Sequence, residues 1–275
     1  LDDACLMKLY RGTVPFFRDE RRKEALFIKE NDDIAFLPNC LAFEEKEKSI
    51  LAVYKITKGT LLFDAIQTKA TLAYDKIFSD VLANLIILEE RGYYHGDLRL
   101  WNVCIKDSSA FLIDFGSIQK KTADSVATAM NPQIALSVYD AFVALVFDTL
   151  TGNCYDSIRD YGLYALTAFC DGSLVPPCYA SFFKAYLLLD DESCTFRKIR
   201  ELFDAIVLEK KIRQFSTEEE LTILNALLLR SRAMKADVVE LKKVQITLGN
   251  AIGNIQELYA RSAKLEERNL ALRDS

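Results

Sequence analysis

The chain has a single histidine, and it opens the segment that most narrows the possible folds. His95-Gly96-Asp97-Leu98-Arg99-Leu100-Trp101-Asn102 is followed, twelve residues after the asparagine, by Asp114-Phe115-Gly116. Between them, Val103-Cys104-Ile105-Lys106 and Ala110-Phe111-Leu112-Ile113 read as two short strands, closed into a hairpin by Asp107-Ser108-Ser109. That hairpin would set Asn102 and Asp114 at neighbouring strand ends, able to share one cation. Each polar residue type suits a task. Asp97 can accept a proton from a hydroxyl. Asn102 and Asp114 supply one neutral and one anionic oxygen, the hard ligands that Mg²⁺ takes while keeping part of its water.

With 275 residues the chain is long enough for one large domain or two small ones. At 51% hydrophobic residues it can build a core, which excludes global disorder. The net charge of -5, with no dense Lys/Arg run, argues against nucleic acid as the main partner. The seven cysteines form no C-x-x-C pair, so zinc is not expected, and they read as buried, reduced thiols of a cytosolic protein. No uninterrupted apolar run is long enough to span a bilayer, and no segment of this sequence reads as a signal peptide. Because the chain starts at Leu1 without methionine, it reads as a fragment of a longer protein.

Strands are expected at Ala4–Tyr10, Cys40–Glu44 and Ile50–Ile56, with a helix over Arg18–Asn31 that Leu37-Pro38-Asn39 breaks. Lys58-Gly59 reads as a turn. Residues 70–92 read as a long amphipathic helix capped by Gly92, and Ile134–Leu150 as a strongly apolar one. The rest, to about residue 213, reads as mostly helical around a Pro176-Pro177 loop.

Ser216 and Glu219 have the spacing of a capping box. From there Leu224, Leu227, Met234, Val238, Leu241, Leu248, Ile252 and Ile255 recur in threes and fours. Leu258, Leu265 and Leu272 continue after a stammer. Residues 216–275 are therefore expected as one helix of roughly 90 Å at ~1.5 Å per residue. It should form a parallel coiled coil; the alternative is an amphipathic helix folded back on the globular part. Ile252 and Ile255 at successive seam positions favour a trimer over a dimer, and polar seam residues complicate that choice.

On these residues the chain resembles the protein-kinase-like superfamily over about residues 1 to 213. The resemblance implies an α+β, bilobal fold: a small lobe at 1–57, a large lobe at 58–213, and the coiled-coil helix at 216–275. The small lobe is incomplete at its N-terminus, since Lys8 lies too close to the start for a glycine-rich loop to precede it. Lys8, in Cys5-Leu6-Met7-Lys8, is similar to the strand lysine that holds the ATP α- and β-phosphates. Glu24 is similar to its helix partner, with Glu20 and Glu30 as competitors. Val53-Tyr54-Lys55-Ile56 matches the hinge, so Lys55 and Ile56 would meet adenine through their backbone. Asp140 resembles the buried helix aspartate that tethers the catalytic loop. Asp97 would be the base, Asn102 and Asp114 the Mg²⁺ ligands, and His95 a structural residue under the loop. Arg99 is either a solvated charge or a group that steadies the γ-phosphate.

Departures from the superfamily pattern carry information. Gly96 stands where regulated protein kinases have arginine. Only 24 residues lead from Gly116 to Asp140, with no A-P-E motif. Both favour a small-molecule or sugar acceptor over a protein. The arginine, the tryptophan before asparagine and the D-F-G-S-I ending are similar, more specifically, to the kinases of WbdD-type chain terminators of bacterial polymannose O-antigen. That resemblance implies ATP- and Mg²⁺-dependent phosphorylation of the non-reducing terminal sugar of a lipid-linked glycan. Capping would stop growth, with the coiled coil as spacer. It further implies a homo-oligomer, a polymerase glycosyltransferase as possible partner, and a place at the cytoplasmic face of the bacterial inner membrane through segments outside this chain. Two other readings remain open: an aminoglycoside- or choline-type small-molecule kinase, and a pseudokinase scaffold working through its coiled coil.

Overall fold

Strand β1 (Asp3–Arg11) pairs antiparallel with β3 (Ser49–Thr57), and β3 with β2 (Asn39–Lys46), giving a sheet in the order β1-β3-β2. The computed structural model describes residues 3–11, 15–47, 49–122, 125–127, 136–152 and 174–233. Along β3 the side chains alternate, so Ile50, Ala52 and Tyr54 are buried while their neighbours are not. Helix α1 (Pro15–Glu30) lays Ala25, Phe27 and Ile28 against this layer. Glu24 is buried beside them, while Lys23, Lys29 and Glu30 of the same helix are exposed.

Below the sheet the chain makes β4 (Thr60–Leu61), then α2 (Leu62–Gln67), then α3 (Tyr74–Glu90). The sequence suggests one helix from residue 70. The structure instead has a separate six-residue helix, and α3 starts four residues later. In α3, Ile77, Phe78, Val81, Leu82, Leu85 and Leu88 recur at helical spacing and are buried. Gly92 follows the cap with φ +79°, the left-handed backbone that glycine adopts at no steric cost.

β5 (Tyr93–His95) pairs with β8 (Ile118–Lys120), and β6 (Val103–Lys106) joins β4 to β7 (Ser109–Leu112). Asp107 and Ser108 both have positive φ, so the hairpin turns in two residues and Ser109 already belongs to β7. Strands β9 (Val126–Ala127) and β10 (Leu136–Ser137) pair before α4 (Val138–Thr151). The described part of the stretch read as a helix from Ile134 therefore begins as strand at Leu136. Ser137 ends it by capping α4, its Oγ accepting from the Asp140 N–H at 3.0 Å.

Helix α5 (Pro177–Leu187) begins at Pro177, where a missing N–H costs nothing, so the expected proline loop is a helix start. α6 (Phe196–Phe203) follows and runs into a π-helical turn at Asp204–Leu208. Phe78, Tyr179, Phe182 and Phe203 meet edge to face with ring centroids 5.6–6.4 Å apart. Beside them the buried Glu89 accepts from Tyr139 Oη at 2.7 Å, Tyr94 Oη at 3.3 Å and the Phe196 N–H at 3.0 Å. This buried carboxylate is thus compensated rather than stranded.

Helix α7 (Thr217–Ala233) opens on the expected capping box. The Ser216 N–H donates to Glu219 Oε2 at 2.8 Å, and the Glu219 N–H to Ser216 Oγ at 3.2 Å. Ile223 and Leu227 are buried in the main core, so Leu227, expected on an oligomer seam, packs within its own chain. The expected coiled coil beyond Ala233 lies outside the described residues. Among the described cysteines, Cys104, Cys178 and Cys194 are buried and Cys40 half-buried, but Cys5 is exposed. Among the described residues no helix is long and apolar enough to cross a membrane.

Candidate active site

The β6–β7 hairpin brings Asn102 and Asp114 side by side: the Ile113 N–H donates to the Asn102 carbonyl at 3.0 Å. The hairpin is itself held by α3, whose Asp80 Oδ2 accepts from the Ala110 N–H at 3.0 Å. One turn on, Asn84 Oδ1 accepts from the Leu112 N–H at 3.3 Å. These two side chains act as a ledge for a strand edge that has no further strand among the described residues. Asp114 adopts φ 58°, ψ 75°, left-handed backbone rarely taken by a residue with a side chain. Its neighbours hold it there. The Phe115 ring is buried, with His95 at 5.3 Å and Phe27 at 5.6 Å between centroids. The Phe115 N–H donates to Glu24 Oε1 at 3.2 Å.

His95 is buried and serves the backbone. Its Nε2 lies 3.0 Å from the Ile113 carbonyl and its Nδ1 3.4 Å from the Asp97 amide. A carbonyl can only accept and an amide N–H only donate, so the proton sits on Nε2. The Asp97 carboxylate is pinned from both oxygens: Arg99 Nε donates to Oδ1 at 2.5 Å, and Asn102 Nδ2 to Oδ2 at 3.1 Å. Asn102 Nδ2 also donates to the Asp97 carbonyl at 2.7 Å, which fixes the amide and leaves Oδ1 as the atom for a cation. Arg99 is buried, and its guanidinium lies 5.2 Å from the Trp101 ring centroid.

Lys8 Nζ stands 2.7 Å from both Glu24 Oε1 and Asp114 Oδ1. Of the three glutamates on α1, Glu24 is the one that meets it. Arg21, one turn earlier, completes a ring of charges: its Nη1 is 3.2 Å from Glu24 Oε2 and 3.4 Å from Asp114 Oδ1. Sequence reasoning passed over Arg21. It is one of several basic residues in Arg18-Asp19-Glu20-Arg21-Arg22-Lys23, and only its i, i+3 spacing to Glu24 marks it. Burial pushes the Asp114 carboxyl up, but Lys8 and Arg21 outweigh it and hold it below the usual aspartate range. Glu20 shifts the other way: burial raises it, and Asp114 and Asp97 add to the rise against Ser117 and Arg21.

Lys8, Glu24, Asn102 and Asp114 lie along one cavity of about 1220 Å³, large enough for a nucleotide. Its walls include Leu6, Leu37, Leu61, Trp101, Cys104 and Leu112. Asp97 and Arg99 are not among its lining residues and reach it through Asn102. Lys55 and Ile56 do line it, but as rungs of β3 opposite Cys5 and Ala4. The strand runs on to Thr57, so the segment leaving the sheet is Lys58-Gly59, later than the expected hinge. A Cβ on Gly59 would fall 2.6 Å from the Ile105 carbonyl oxygen, so only glycine lets this segment press against β6. The Tyr54 hydroxyl, buried in the cavity wall, has no hydrogen-bond partner among the described residues. A buried orphan donor of this kind, with two oxygen ligands at the cavity's end, fits a polar, metal-bound ligand.

Gly96 cannot carry an arginine or any other side chain. Its N–H donates to the Ser117 carbonyl at 3.2 Å, and a Cβ would come within 2.3 Å of that oxygen. Asp140, half-buried on α4, accepts from Tyr186 Oη at 2.7 Å.

No family model matches the chain. It is 38% identical over 102 residues to an O-antigen chain terminator bifunctional methyltransferase/kinase WbdD of Escherichia coli, covering 37% of this chain and 14% of that protein. A second such protein of the same organism is 38% identical over 82 residues, 30% of this chain and 12% of its own length. Among solved structures, the bifunctional kinase-methyltransferase WbdD superposes with a TM-score of 0.57 at 20% identity, over 82% of this chain and 46% of that one. A WbdD structure with its C-terminal bundle ordered gives 0.55 at 20% identity, over 96% of this chain and 51% of that one. The chain thus spans about half of the solved relatives, whose mixed helix-and-sheet fold it shares. In that fold, and in sequence over a 102-residue stretch, it is similar to the kinase-bearing chain terminators of the WbdD type.

Proposed function

We propose that this chain is the ATP- and Mg²⁺-dependent kinase part of an O-antigen chain terminator, which phosphorylates the terminal non-reducing sugar of a lipid-linked glycan. One observation carries the reading: Lys8, Asn102 and Asp114 converge on one cavity, with the Asp97 carboxylate fastened to Asn102 just beyond it. The similarity to WbdD supplies the acceptor class. A divalent cation held by Asn102 and Asp114 would offset phosphate charge. Lys8, braced by Glu24, positions the phosphates. Asp97, oriented by Arg99 and Asn102, takes the proton of the sugar hydroxyl. As that oxygen bonds to the γ-phosphorus, the bond to the bridging oxygen breaks and ADP leaves. Gly96, too crowded for an arginine, supports an acceptor that needs no phosphorylated docking segment. The tail beyond α7 as an oligomeric spacer, the polymerase partner and attachment at the inner membrane face belong to the same reading.

The test is mass spectrometry of the glycan terminus with the full-length protein, ATP and Mg²⁺. A mass gain of one phosphate on mannose-terminated oligosaccharides is expected, with none on aminoglycosides or choline. Asp97→Asn, which keeps the shape and one acceptor oxygen but loses the base, should lower the rate roughly 10²–10⁴-fold. A folded Asp97→Asn protein with near-normal turnover, or phosphate on free metabolites alone, overturns the reading.

A further inference from the structure

We propose that Arg21 is a second phosphate-binding cation of this site, parked on Asp114 while the site is empty and passed to the terminal phosphate of the nucleotide when a metal ion takes that carboxylate. The proposal rests on the phosphotransferase reading and adds a residue to it.

Asp114 Oδ1 carries two cations at once, Lys8 Nζ at 2.7 Å and Arg21 Nη1 at 3.4 Å. A divalent cation bound to Asp114 would repel both. Each has a second anchor on Glu24: Lys8 on Oε1 at 2.7 Å, Arg21 on Oε2 at 3.2 Å. Glu24 is buried, so it keeps both partners close while each swings away from Asp114. The four side chains together are neutral, whereas a metal–triphosphate arrives with net negative charge, so a donor is needed where that charge ends. Arg21 has donors to give. Both of its contacts use Nη1, and among the described residues Nη2 and Nε make no hydrogen bond. A planar guanidinium with unspent N–H groups matches the geometry of a phosphate better than an ammonium does. Arg99 is placed differently: it is buried, bonded to Asp97 and laid over Trp101.

The space also allows it. A Cβ on Gly116 would lie 3.8 Å from both Arg21 Nη1 and Asp114 Oδ1, so the guanidinium and the carboxylate share the ground above the D-F-G glycine. A phosphate bridged to Asp114 by a metal ion comes within reach of a side chain already touching that oxygen.

Isothermal titration of the full-length protein with Mg²⁺·ATP and Mg²⁺·ADP separates this role from a merely structural one. Arg21→Met should weaken ATP about tenfold or more, the worth of a charge-assisted hydrogen bond. ADP, which lacks the terminal phosphate, should change less than about twofold on the same scale. Arg21→Lys should recover part of the ATP loss, and Arg21→Gln is read in the same way if the methionine variant does not fold. Equal weakening of ATP and ADP, as expected if Arg21 only braces Glu24, overturns the proposal, and so does no change in either. A wild-type protein that binds neither nucleotide overturns the phosphotransferase reading itself, and this proposal with it.

Discussion

Lys8 is the residue on which the electrostatics of the cleft turn. Asp114 sits where burial opposes its charge, yet it titrates below the usual aspartate range because Lys8 stands 2.7 Å away and Arg21 a little farther. A carboxyl whose folded pKa is depressed adds stability that is present above its unfolded pKa and fades as pH falls through the folded value. Asp114 therefore stays ionised at every pH from neutral down to the ordinary aspartate range, and metal–nucleotide binding should not weaken on its account over that span. Lys8→Met leaves burial opposed by Arg21 and more distant groups only. The Asp114 carboxyl resonance in a ¹³C titration should then move to a higher midpoint than in the wild type. An unmoved midpoint would mean that Lys8 is not what holds the charge. Sequence alone pointed to Lys8, Glu24 and Asp114 through their order around a spaced motif. Arg21 and Tyr54 were not legible in that way. A charged helix residue or a strand tyrosine reads the same whether it faces solvent or a cavity; the partner that ties Arg21 to the site, Asp114, lies 93 residues away, and Tyr54 Oη has none among the described residues.

At the scale of elements, α3 shows why Asn102 and Asp114 stay in register. Its apolar face is written in the spacing of Ile77, Phe78, Val81, Leu82, Leu85 and Leu88, and that pattern could be read directly. Asp80 and Asn84 interrupt the pattern, and their bonds within the helix, from Lys76 Nζ to the Asp80 carboxylate and from Asn84 Nδ2 to the Asp80 carbonyl, give no sign of what else they hold. Each also accepts from a distant amide, that of Ala110 or Leu112, about thirty residues on. The short α2 escaped notice for a related reason: six residues carry too little of a 3.6-residue period to stand out from the strand before them. The ledge can be tested through Asn84→Ala, which strands the buried Leu112 N–H. A loss of about 1–3 kcal/mol in denaturant unfolding is expected, the cost of an unpaired buried donor. Because β7 leads into Asp114, metal–nucleotide affinity should fall as well. A variant as stable as the wild type would show that the Leu112 amide finds another acceptor.

Across the whole molecule, the decisive question is where the body ends and the tail begins. Helix α7 is not a free spacer from its first residue. The Phe215 ring has Lys184 Nζ at 5.6 Å and Arg213 Cζ at 4.8 Å from its centroid, and Lys184 also bridges to Glu220 at 2.7 Å. The Arg213 N–H donates to Ser181 Oγ at 3.1 Å, so the approach to α7 is tied to α5 before the helix starts. Ile223 and Leu227 then enter the same core as Phe182 and Phe203. Periodicity could not reveal this. Threes and fours of apolar residues serve equally for packing on a neighbouring helix of the same chain and for a seam between chains. The two roles separate on truncation of Leu227. A core residue that becomes alanine should cost about 2–5 kcal/mol, and the fall in melting temperature should be the same at every protein concentration. A seam residue would leave the body intact, and its loss would make melting depend on concentration, since association stabilises by mass action. Leu227→Ala is expected to behave in the first way. The folded body then extends to at least this residue, and any self-association through the residues after α7 starts beyond it.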